Sequence, residues 1–212
     1  MKRFHMLLVL GVVGSSLFAA TLLAGDEKSE TKLPLCPIMG EAVSFSVSTD
    51  AEDGPVYFCC AGCIGKFNKN PAKYAKELAA QRAVLAKMDK VQVACPITGE
   101  ALDSSKQLEH DGEKISFCCG GCVKKFKKNP AKYKADLAAS YTYQTKCPVS
   151  GEGIDAKSST VLSTGETVYF CCGGCAKKFV ADPAKYADNM AKQGTPIDPA
   201  KIKAAAEKSK KG

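Results

Sequence analysis

The chain reads as a small α+β protein of three tandem cysteine-rich modules behind an N-terminal export-type segment. Three observations predict this. The phrase "FCCAGCIGKFNKNPAKY" at Phe58 returns as "FCCGGCVKKFKKNPAKY" at Phe117 and as "FCCGGCAKKFVADPAKY" at Phe170. A shorter phrase precedes each copy: "CPIMGEAV" at Cys36, "CPITGEAL" at Cys95 and "CPVSGEGI" at Cys147. All twelve cysteines fall in these phrases, four to a module. Internal repetition of this kind sets the architecture before any single residue is weighed.

The first element is residues 1–25. Lys2 and Arg3 precede a long uncharged run that ends where "DEKSE" begins. A basic start, an apolar middle and a small-residue exit make an export signal. A cut after Ala24 would leave Leu22 three residues before it, where a smaller side chain is usual. The run is also long enough to span a bilayer. A cleaved signal and a retained anchor both stay open. Either one sends the remainder out of the cytoplasm, to the periplasm or the cell envelope. No later stretch is apolar enough to cross a membrane, so membrane contact is expected only through this segment, if it is retained.

The formal charge is +8 for the whole chain. Without residues 1–25, which carry Lys2, Arg3 and no acid, it is +6. A modest basic excess favours anionic surfaces through long-range attraction. The lysines are spread over all three repeats and no nucleic-acid-binding motif accompanies them, so no nucleic-acid partner is expected.

The modules occupy 34–90, 93–141 and 145–192, with a basic tail at 193–212. Each opens on a Cys-bearing turn. A stretch of strand-like alternation follows, such as "VSFSVS" at 43–48. Then comes a turn: "DAEDGP", "HDGE" or "STGE". Asp111-Gly112 is a strong hairpin signal. A short strand, "VYF" or "ISF", runs into the cysteines. There the period changes. Cys60, Cys63 and Phe67 stand at i, i+3 and i+7, one face of a helix. Cys119, Cys122, Phe126 and Cys172, Cys175, Phe179 repeat the spacing. These helices should end near Asn70, Asn129 and Asp182. Each of those residues precedes a proline, which predicts an N-cap and a first helical position. The second helix of module 1 begins at "PAKY" and carries Tyr74, Leu78, Leu85 and Met88 as an apolar stripe. It is shorter in the other two modules. The connectors, 89–94 and 140–146, suggest independent units on a short string. The tail from Asp198 can add a helix or fray.

Units of about 45–55 residues bury too little apolar surface to fold readily alone, and they usually need a disulfide or a metal. An even cysteine count in an exported chain makes disulfides the default. The crowding argues against that default. Three of the four cysteines in each module lie within five residues, and a bridge inside such a cluster closes only a small loop. A metal uses the cluster better. Thiolates select Cu(I), zinc or other thiophilic ions. The helix N-terminus and the following lysines (Lys66, Lys124, Lys125, Lys177, Lys178) favour thiolate formation.

The pattern C-x(22)-C-x(3)-C in modules 1 and 2, with one more residue in module 3, ends on "PAKY" and resembles the TRASH and YHS-like heavy-metal-binding modules. The resemblance covers all three repeats. It implies a treble-clef-like fold: a cysteine knuckle, a hairpin, and a helix whose first turn carries further thiols. It also implies Cys36, Cys59 and Cys63 as ligands, with Cys95, Cys118, Cys122 and Cys147, Cys171, Cys175 as their counterparts. Related knuckles often place a second ligand three residues after the first. Here that place holds Met39, Thr98 or Ser150, and only Met39 offers sulfur. The fourth ligand is then the adjacent cysteine (Cys60, Cys119 or Cys172), an external group, or absent. All twelve cysteines are therefore candidate metal ligands.

The expected function is an exported, non-enzymatic protein that binds zinc or copper(I), about one ion per module, for buffering, trafficking or resistance. A metal-transfer partner at the envelope would fit that role. No catalytic triad, phosphate loop or paired acid–base carboxylates are present. The rival readings are a disulfide-stapled interaction protein of the envelope and a thiol–disulfide carrier. His110 occurs in one module only and reads as a solvated turn residue. Glu41, Glu100 and Glu152 follow the knuckle glycine and either complete the turn or bond to the site.

Overall fold

The structure is a computed structural model, and it describes residues 33–202. Residues 1–32, which include the segment expected to direct export, and residues 203–212 lie outside the described residues. Each module begins with an antiparallel hairpin. The hairpins are β1 (Ser44–Thr49) with β2 (Val56–Phe58), β4 (Asp103–His110) with β5 (Glu113–Phe117), and β7 (Asp155–Val161) with β8 (Thr167–Phe170). The register slips at the same place in all three: between Ser44 and Ser48, Asp103 and Gln107, and Asp155 and Ser159. The Asp-Gly turn forms as the sequence predicts. Asp111 has φ +51° and Gly112 has φ +78°, the pair of positive values that matches the twist of a tight hairpin.

A nine-residue helix follows each hairpin: α1 (Ala61–Lys69), α3 (Gly120–Lys128) and α5 (Gly173–Ala181). Each buries one cysteine and one phenylalanine of the expected face, Cys63 with Phe67 and their counterparts, while Cys60, Cys119 and Cys172, expected on that face too, stand exposed at the N-cap in extended backbone. The "PAKY" segments do not open α-helices. They wind as 3₁₀ turns before α2 (Ala75–Leu85), α4 (Lys134–Ala139) and α6 (Ala187–Ala191) begin. Of the three predicted caps only Asn129 accepts a bond, from the Lys132 N–H. Asn70 and Asp182 make no side-chain cap bond. The later helices shorten from module 1 onward, as the sequence indicates.

Each module has its own small core. A phenylalanine at the end of the hairpin meets one from the helix. The ring centroids are 5.5 Å apart for Phe58–Phe67 and for Phe117–Phe126, and 5.4 Å for Phe170–Phe179. The tyrosine of "PAKY" adds a third ring, 5.9–6.3 Å from the helix phenylalanine. These offset and edge-on pairs hold the helix to the hairpin. Leu85 is buried, while Tyr74, Leu78 and Met88 pack partly buried against it and its neighbours, so the stripe expected on α2 faces the core.

Three glutamines brace the modules. Gln144 accepts from the Tyr169 N–H at 2.9 Å and donates to the carbonyls of Tyr169 and Lys146. Gln92 accepts from Ser116 N–H at 2.8 Å and donates to the carbonyls of Ser116 and Ala94. Each joins the residue before the knuckle cysteine to the hairpin's second strand. Both glutamines stand three residues before their module's first cysteine. In module 1 that place is Leu33, and Gln81 of α2 fills the role instead. It accepts from Tyr57 N–H at 3.1 Å and donates to the carbonyls of Tyr57 and Leu35. Nothing in the cysteine repeat announces these residues.

The connectors are not free strings. Val91–Gln92 (β3) and Tyr141–Thr142 (β6) pair as an antiparallel ribbon. Tyr143 stacks on Phe45 of module 1 at 4.7 Å and meets Tyr57 edge-on at 5.8 Å. Lys134 of module 2 and Arg82 of module 1 share Asp53, at 2.6 and 2.8 Å. The Phe45 N–H donates to the Gly194 carbonyl at 2.7 Å. The expectation of independent units is thus corrected: β-pairing satisfies connector backbone that would otherwise need water, and aromatic burial holds the modules together. The tail contributes too. Ile197 and Ile202 join the core of module 3, and Asp198 accepts from the N–H groups of Ala200 and Lys201. His110 is not a solvated turn residue, since its ring lies edge-on to Phe126 at 5.3 Å.

Candidate metal centre

The first thiol of each centre sits on a tight knuckle. The Cys36 N–H donates to the Glu41 carbonyl at 2.7 Å, and the Gly40 N–H returns to the Cys36 carbonyl at 2.9 Å. Cys95 with Glu100 and Gly99, and Cys147 with Glu152 and Gly151, repeat the pattern. The knuckle glycines have φ of +71° to +77°, a region other residues enter at a cost. Glu41, Glu100 and Glu152 therefore complete the turn, through their backbone carbonyls. The second thiol follows the last hairpin residue. The third lies in the first turn of the helix.

These elements bring together Cys36, Cys59 and Cys63; Cys95, Cys118 and Cys122; and Cys147, Cys171 and Cys175. Within each group every sulfur is within 4.8 Å of the others. The second and third sulfurs are 3.7, 3.5 and 3.6 Å apart in modules 1 to 3. A metal about 2.3 Å from each of three sulfurs would set them about 4.0 Å apart, so the spacing fits one ion. Knuckle and helix sulfurs are buried, Cys36 to 2 % and Cys63 to 1 % exposure, while the middle cysteine is half-buried. All twelve cysteines are free thiols.

The fourth cysteine stands outside the triad. Cys60, Cys119 and Cys172 are exposed and occupy the helix N-cap in extended conformation. Cys60 Sγ is 3.6 Å from Cys63 Sγ, and Cys119 Sγ is 3.6 Å from Cys122 Sγ. Cys172 Sγ is 3.9 Å from Cys171 Sγ. At the place of a second knuckle ligand, the Thr98 hydroxyl lies 3.4 Å from Cys118 Sγ and the Ser150 hydroxyl 3.3 Å from Cys171 Sγ. Met39 takes that place in module 1 and is exposed.

The electrostatics separate the thiols. Burial opposes the Cys95 thiolate, but the N–H groups of Cys118, Ile97 and Thr98 and the Thr98 hydroxyl outweigh it and bring the thiol down to about 7. Burial likewise opposes Cys147, and the Ser150 hydroxyl with nearby backbone N–H groups brings it down to about 7. Cys36 is lowered against burial by the N–H groups of Cys59, Met39 and Ile38. The helix thiols move the other way. Cys63 and Cys122 are driven well up, first by burial and then by bonds to neighbouring sulfurs. Cys175 is pushed up to about 12, first by its bond with Cys171 and then by burial. Within each triad the knuckle thiol is the one lowered, and the neighbouring thiols can donate to it; Cys60, Cys119 and Cys172 are lowered too, by the thiol and the N–H of the helix cysteine.

Compared with family models, curated proteins and solved structures, the chain matches none. The geometry alone defines the candidate: three cysteine triads, one per module, each able to hold a metal ion.

Proposed function

We propose that this protein binds cuprous ions, one in each module, and serves as an exported copper buffer and carrier at the cell envelope. One observation carries the reading: three sulfurs from separate elements converge in each module, two of them buried. Thiolates are soft ligands and select Cu(I) or zinc over magnesium and calcium. Closed zinc sites take four ligands. Here three thiols converge, and hydroxyls or an exposed Met39 stand where a fourth knuckle ligand would be. Three thiolates suit the cuprous ion better. The reading includes membership of the TRASH and YHS-like modules that the repeat resembles, export through residues 1–25, and the absence of catalysis. The lysines of α1, α3 and α5 would draw an anionic carrier toward the sites.

The test is metal analysis with thiol counting on one sample of full-length protein, isolated gently from its native compartment without chelator. The expected result is one copper per cysteine triad and twelve alkylatable thiols once the metal is stripped. Metal-free protein whose cysteines have lost one hydrogen each would instead identify a disulfide-stapled scaffold.

A further inference from the structure

We propose that Cys60, Cys119 and Cys172 are transfer thiols, through which the ion passes between an external thiolate carrier and the buried triad. The inference rests on the metal reading above and adds a route to it. Knuckle and helix sulfurs are buried in every module, so a bulky carrier cannot meet them directly. The fourth cysteine is exposed in all three modules and lies 3.6–3.9 Å from a triad sulfur.

A second feature supports the route. Two residues after each of these cysteines stands a glycine, Gly62, Gly121 or Gly174. None has positive φ, so the backbone does not require glycine there. A glycine within a helix costs about 0.5–1 kcal/mol relative to alanine. A Cβ at these positions would lie 4.0, 3.7 or 3.8 Å from the sulfur of Cys60, Cys119 or Cys172. The missing side chain leaves the sulfur open on that side. An approaching ligand gains the space that any larger residue would fill.

The exchange balances without redox chemistry. The Cys60 thiol releases its proton to solvent. A Cu–S bond forms to Cys60 Sγ while one bond from copper to the carrier's thiolate breaks, and that thiolate takes up a proton. Copper remains cuprous throughout. The Cys63 thiol gives its proton to the second carrier thiolate as it displaces it, and Cys59 and Cys36 then take the ion from Cys60, whose thiolate takes up a proton again.

The experiment compares the reduced full-length chain with the C60S/C119S/C172S variant. Because these side chains are exposed, serine there leaves the cores intact. Stopped-flow mixing with the Cu(I)–glutathione complex measures uptake, and titration against bathocuproine disulfonate measures capacity and affinity. The expected variant keeps one ion per triad, with affinity within a few-fold, but loads at least about tenfold more slowly, since thiol exchange depends on access. An unchanged uptake rate overturns the transfer role. A fall in capacity also overturns it and makes the fourth cysteine a resident ligand. If the unsubstituted chain takes up no copper, the metal reading itself fails.

Discussion

Gln81 grips Tyr57 with both ends of its side-chain amide. Oε1 accepts from the Tyr57 N–H at 3.1 Å, and Nε2 donates to the Tyr57 carbonyl at 2.8 Å. The same nitrogen reaches the Leu35 carbonyl at 2.9 Å, one residue before the first knuckle cysteine. The contact ties α2 to the hairpin and to the turn that presents Cys36. Gln81 is 2 % exposed, so its partners have little access to water as a substitute.

Gln81→Leu should therefore destabilise module 1 sharply. Leucine removes three bonds and leaves a backbone N–H and two carbonyls without partners. Unsatisfied buried groups cost about 1–3 kcal/mol each, so a total loss of about 2–4 kcal/mol is expected after relaxation. Urea unfolding of the metal-free protein measures it. An unchanged midpoint would mean that the brace contributes nothing.

Substituting a helix thiol tests the one-ion-per-module arithmetic. Cys122→Ser should lower the copper capacity by one ion and leave the triads of modules 1 and 3 loaded, because each triad is complete within its own module. Equilibrium competition with a Cu(I) chelator reads the capacity. Loss of all binding would show that the three centres act as a single cluster.

Loading should release protons in a defined number. Cys95 lies at about 7, below the usual 9.0, so it is already a thiolate at pH 8, whereas Cys118 and Cys122 are raised and protonated. At pH 8 filling module 2 then displaces two protons, and affinity should fall about a hundredfold per unit as pH drops through that region. Below 7 Cys95 itself takes up a proton and the dependence steepens. Module 3 should behave alike, since Cys147 is also near 7 while Cys171 and Cys175 are raised. Calorimetry in buffers of different ionisation enthalpy counts the protons. A pH-independent affinity would contradict the assignment.

The packing between modules has its own signature. Tyr143→Ala removes the ring that stacks on Phe45 and touches Tyr57. Truncating a large aromatic in a packed setting costs about 3–5 kcal/mol, and a half-buried ring less. Hydrogen exchange should quicken at Phe45, whose N–H bonds to Gly194, and in β3 and β6. The amides of α3 should keep their protection, because the core of module 2 is separate. Uniform protection in the variant would refute the coupling.

Phe126→Ala is expected to unfold module 2 selectively. It deletes the ring shared by Phe117, Tyr133 and His110, in a unit with few other large buried side chains. The loss of about 3–5 kcal/mol exceeds what so small a core can absorb. Copper should restore part of the stability if the triad binds it, since binding to the folded state alone adds to folding free energy. Thermal melts with and without Cu(I) would reveal an absent rescue.

The sequence by itself determined the three repeats, the hairpins, the helix faces that bury Cys63, Cys122 and Cys175, and the cysteines available to each centre. These follow from short-range patterns: period-two alternation, i/i+3/i+7 spacing, and an Asp-Gly turn. Tertiary structure decided the remainder. It separated the exposed Cys60, Cys119 and Cys172 from the convergent triads, because each triad is completed by a buried knuckle cysteine that the chain brings from the start of the module. It paired β3 with β6 across a whole module, and it placed Gln81 of α2 where Gln92 and Gln144 serve in the other modules. Those contacts join residues 24 to about 50 positions apart. A local pattern cannot encode such pairings, because each depends on which backbone groups the folded chain would otherwise leave buried and unpaired.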